Sequence, residues 1–86
     1  MSKAFQRIPE GVILSPLARR VFDVLADHTS FPWPALMAQC KRIGVEPAEL
    51  TASHMPALIP HLAKAVGRFT SPEEERRVAM ALQKLV

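Results

Sequence analysis

Apolar residues recur along this chain at the three- and four-residue spacing of helices, in blocks that proline and glycine separate. In the first block Leu17, Ala18, Val21, Phe22 and Leu25 share one stripe, while Arg19, Arg20, Asp23 and Asp27 fall on the opposite side. Ser15 before Pro16 supplies an N-cap followed by a proline at the first helical position, where its missing N–H costs nothing. The pattern therefore predicts a helix from Pro16 to about Asp27, with Leu14 stapling its start and Arg19 paired with Asp23 one turn on.

Phe31-Pro32-Trp33-Pro34 interrupts the pattern, because two prolines fix two backbone angles and bias Phe31 and Trp33 toward extended geometry. A second helix is expected from Pro34 to about Ile43, with Leu36, Met37, Cys40 and Ile43 inward. Gly44 ends it as a left-handed cap, and Val45 folds back. Glu46-Pro47-Ala48-Glu49-Leu50 opens a short third helix that should stop near Ser53, since Pro56 disfavours helical geometry at Met55. The next helix starts at Pro56 or at Pro60. A start at Pro56 leaves Pro60 inside the helix, with one backbone bond missing. In either case Leu58 or Ile59, Leu62, Ala65, Val66 and Phe69 form an apolar stripe, and His61, Lys64 and Arg68 form the face opposite.

The clearest boundary is Phe69-Thr70-Ser71-Pro72. Ser71 caps, Pro72 begins the last helix, Glu74 stands where it completes a capping box, and Glu73, Glu74 and Glu75 complement the positive end of the helix dipole. That helix is expected to run to about Leu85, with Val78, Leu82 and Val86 in line and Glu73 paired with Arg77. No strand alternation and no internal repeat survive counting. The fold class is all-α: a compact bundle of four to five short helices over residues 14–86, preceded by a tail or arm over residues 1–13.

Composition supports a folded chain. Of 86 residues 49% are apolar and 22% charged, and the few aromatics leave a core of Leu, Val, Ile, Met and Ala. The single Cys40 excludes an intramolecular disulfide and, among apolar neighbours, reads as a buried thiol. No stretch approaches the length of a secretory signal or a membrane span, so the expected location is cytoplasmic, with no membrane partner. The net charge of +3 lies in residues 1–43, which hold six Lys or Arg against three Asp or Glu; residues 44–86 hold five of each.

Little in the chain points to catalysis. There is no nucleophile elbow or phosphate-cradling glycine loop, and Ser15, Ser53 and Ser71 read as caps. His28, His54, His61 and Cys40 lack the paired spacings of a metal site. The expectation is a non-enzyme with no catalytic residue, no cofactor and no metal. Its reading is a small protein–protein interaction domain, an adaptor, regulator or small subunit, that binds another protein or a second copy of itself. Phe31 and Trp33, aromatics flanked by proline, are either a lid over the top of the bundle or anchors for a partner, and His61, Lys64 and Arg68 are a candidate basic face for an acidic partner.

Two alternatives stand beside it. Lys3 and Arg7 on the arm, with Lys41 and Arg42 closing the second helix, sketch a nucleic-acid-binding regulator, although the helix that would read a groove carries Glu46 and Glu49 and no cation. His61 with Lys64 one turn on sketches a histidine phosphotransfer-like module, but Ala65 stands where a glycine should follow the lysine. No motif is specific enough to name a family.

Overall fold

The computed structural model describes residues 8–86. Four α-helices form the bundle: α1 (Pro16–His28), α2 (Pro32–Arg42), α3 (Met55–Phe69) and α4 (Pro72–Gln83). Two short 3₁₀ turns, Pro47–Glu49 and Ala52–His54, join α2 to α3, and there is no strand among the described residues. No helix among them is long and apolar enough to cross a membrane.

The caps form where the sequence places them. Ser15 Oγ accepts from the Ala18 N–H at 3.0 Å, and Ser71 Oγ accepts from the Glu74 N–H at 3.2 Å. At the end of α2 the Gly44 N–H donates to Lys41 O and the Val45 N–H to Cys40 O, with Gly44 at φ +75°. These two bonds, with a left-handed residue between helix and exit, satisfy carbonyls that the helix end leaves free. Ser15 does a second job: its Oγ donates to Leu50 O at 2.7 Å and its N–H to Pro47 O at 3.1 Å. The start of α1 is thereby fastened to the linker before α3.

One core fills the bundle. Ala18, Val21, Phe22 and Leu25 come from α1, Leu36 and Cys40 from α2, Leu58, Ile59, Leu62 and Val66 from α3, and Val78 and Leu82 from α4. Leu50 and Met55 close it from the linker side. Burying a Leu-sized side chain contributes roughly 1.5–3 kcal/mol, so this cluster outweighs any surface ion pair in holding the helices together. The exposed Arg19–Asp23 pair, 3.7 Å apart, is one such minor contributor.

Several expectations are corrected. The second helix begins at Pro32, not Pro34, and Trp33 is helical within its first turn. First-turn N–H groups have no partner in the helix, so both prolines are tolerated there. The third helix is absent: Leu50, at ψ 127°, breaks the segment into the two 3₁₀ turns. Met55 takes helical angles (φ −62°, ψ −40°) despite Pro56, so α3 starts before both proposed prolines and carries Pro60 inside it. Pro60 points to solvent, where the ring costs less than it would against a neighbouring helix.

Side chains are corrected as well. Met37 is 38% exposed while Gln39 takes the inward place beside Leu36 and Cys40. Phe69, expected in the stripe, is 71% exposed, and Val86 lies outside the core. The Glu74 carboxylate does not turn back to complete the capping box; it contacts His28 Nδ1 and Arg77, which replaces the expected Glu73–Arg77 pair. Ile8 and Leu14 both pack on the core, while residues 9–13 between them are exposed. Lys3 and Arg7 fall outside the described residues.

Candidate functional site

The surface where α2 and α3 face each other carries the features that the fold leaves unexplained. Phe31, held at φ −131° by the following proline, projects from the α1–α2 joint, and Phe69 projects from the last turn of α3. Their rings meet edge to face, with centroids 5.2 Å apart and planes at 83°. Together they border an apolar groove of about 410 Å³. Small residues make its floor: Ala35 and Ala38 on α2 and Ala65 on α3, with Val66 behind. Their short side chains leave the space between the two helices unfilled.

A second, smaller hollow adjoins this groove. It is lined by Arg42 from α2 and by His61, Lys64 and Arg68 from α3, and it shares Gln39 and Ala65 with the groove. On α3 the spacing of His61, Lys64 and Arg68 places them one turn apart on one face. Arg42, the last residue of α2, closes the row from the other helix. Lys64, Arg68 and Arg42 are exposed and His61 is half-buried. Among the described residues no carboxylate lines either hollow. The result is an apolar trench with a cationic end.

Sequence reasoning placed Phe31, His61, Lys64 and Arg68 in one candidate set, and the fold brings these four to one surface. Trp33 is separated from them. It is half-buried against the core and turns to another hollow, beside Val12, Ile13 and Met37. Lys41 and Arg42, adjacent in sequence, also diverge: Arg42 joins the basic hollow, while Lys41 lines one with Gly44, Val45 and Glu46. Successive residues on a helix point about 100° apart, so the pair could not act as one patch. Phe69, Gln39 and the three alanines were missed. Phe69 was hidden by its fit to an apolar stripe, and alanines carry no chemical signal until two helices bring them face to face.

The remaining reactive groups are occupied or shut away. Cys40 is buried, and burial together with the nearby Glu46 carboxylate pushes its thiol up to about 11. A thiol held protonated in this way is a poor nucleophile. His28 Nδ1 is engaged by Glu74, and His54 Nδ1 accepts from the Thr51 N–H at 3.1 Å. No group of three or more metal-ligating side chains comes together among the described residues. No family model matches the chain, and neither the curated proteins nor the solved structures give a significant match.

Proposed function

We propose that this protein is a small non-catalytic recognition module, an adaptor or regulator, that binds a segment of another protein between α2 and α3. The segment carries a bulky apolar side chain that enters the groove under Phe31 and Phe69, and acidic side chains that meet Arg42, Lys64 and Arg68. The observation that carries this reading is the continuity of the two hollows through Gln39 and Ala65. An apolar trench draws in a hydrophobic anchor, and a cationic end chooses among anchors by the charge beside them. Phe69, a large aromatic at 71% exposure, is what a free binding surface displays and what a core would hide.

The same cations could attract nucleic acid, but the groove offers stacked bases little. Phe31 and Phe69 present an edge-to-face pair and not two open parallel faces, and aliphatic floors favour side chains over bases.

The test is fluorescence anisotropy with short labelled peptides and a single-stranded oligonucleotide. A peptide with Leu or Phe near two Glu residues should bind, and its basic counterpart should not. Phe69→Ala should weaken that binding at least tenfold while the thermal midpoint moves by only a few degrees, and Lys64→Glu should do the same. Binding of the oligonucleotide in place of every peptide would overturn the proposal.

A further inference from the structure

Gln39 is the only buried polar side chain among the described residues, with 9% of its surface exposed. No side-chain hydrogen bond joins it to another of those residues. Yet none of their polar side-chain atoms is both sealed from solvent and without a partner. Gln39 lines both the apolar groove and the basic hollow, so the solvent access it keeps lies at the seam between them. A group that covers this seam takes its water away. Whatever binds must then replace that water with hydrogen bonds of its own, or leave an amide buried and unpaired.

This requirement selects the shape of the occupant. A carboxamide offers one acceptor and two N–H donors, the complement of a peptide unit's N–H and C=O. A helix laid in the groove would have those backbone groups already paired within itself, and Gln39 would be stranded beneath it. An extended segment keeps them free. Resting on the docking reading above, we infer that Gln39 is the specificity-determining residue of the groove: it pairs with the backbone of the anchor residue, so the bound segment is extended and not helical.

A spacing follows from the same geometry. In an extended chain, side chains alternate between faces, so the residue that shares a face with the anchor is two positions away. The groove and the basic hollow are joined through Gln39 itself. The acidic group that meets Arg42, Lys64 and Arg68 therefore stands two residues from the anchor, as in Leu-x-Glu, and the intervening side chain faces solvent.

The experiment uses the full chain and three acetylated eight-residue peptides: a parent with Leu-x-Glu, the same peptide N-methylated at the Leu amide, and a version locked into a helix by α-aminoisobutyrate. With the wild-type protein, N-methylation should weaken binding about tenfold, the size of one lost hydrogen bond, and the helical version should bind more weakly than the parent. With Gln39→Leu the parent should weaken by a similar factor and the N-methyl penalty should vanish, whereas replacing Glu by Gln in the peptide should cost both proteins alike. Equal binding of parent and N-methyl peptides to the wild type, or tighter binding of the helical peptide, overturns the inference while leaving the docking site standing. That comparison needs no folded variant. Failure of all three peptides to bind overturns both.

Discussion

Gly67 on α3 and Glu75 on α4 approach so closely that a methyl group at position 67 would stand 2.8 Å from the Glu75 Cβ. A Cβ is fixed to its backbone and cannot swing aside, so the two helices would have to separate. Two effects compete in Gly67→Ala. Alanine improves helix propensity by about 1 kcal/mol, whereas overpacking costs roughly 1–3 kcal/mol. The Glu75 Oε1, 2.7 Å from that methyl, can swing aside, but the Glu75 Cβ cannot, so overpacking should win. The expected outcome is a net loss of up to about 2 kcal/mol in urea denaturation; a higher midpoint would show that α3 and α4 can part freely.

His28 at the end of α1 and Glu74 in the first turn of α4 tie together elements 46 residues apart. Both side chains are about four-fifths buried, and Arg77 shares the Glu74 carboxylate from 3.7 Å. A hydrogen bond to a charged group in such a place is expected to contribute about 1.5–3 kcal/mol. His28→Ala and Glu74→Gln should each destabilise by that order. Combined, they should cost clearly less than their sum. Strict additivity in the double-mutant cycle would mean that the contact contributes nothing.

Cys40 gives a dependence on pH. Its thiol titrates near 11 in the folded chain against an ordinary 9.0, because burial and then Glu46 disfavour the thiolate. The fold therefore prefers the protonated form. Its contribution to stability is complete below about pH 9 and is lost as pH rises toward 11. Chemical denaturation from pH 8 to 11 should show a steeper decline for the wild type than for Cys40→Ala. Parallel curves would refute the assignment. In the same spirit, a thiol reagent at pH 8 should modify the native protein far more slowly than the denatured one.

Much of this architecture is legible in the sequence because local chemistry determines it. Ser15-Pro16 and Ser71-Pro72 announce helix starts by capping, Gly44 announces an end by its backbone freedom, and the stripes of α1 and α4 follow from spacing alone. What misleads is local chemistry overruled by packing. Pro32 and Pro34 read as breakers but fit a first turn, and Pro60 is carried in α3 because Leu58, Ile59, Leu62 and Val66 around it are buried as a unit. Half of the candidate site was readable on the same basis: the row His61, Lys64 and Arg68 needs only helical periodicity. Its other half depends on which helix stands opposite. Gln39 carries no sign of its place until α3 lies across from it, and Trp33 and Phe31, two residues apart, line different hollows.

The alanine floor of the groove has a consequence for how such a protein can change. Ala35, Ala38 and Ala65 line the trench but lie outside the buried cluster that holds the helices. Replacing one with serine, valine or leucine would recut the trench for a different guest while the load of folding stays on Leu36, Leu62 and their neighbours. Apart from Val66, which serves both the groove and the core, recognition and stability fall mostly to different residues of the same two helices, so this chain could acquire new partners by single substitutions with little loss of stability.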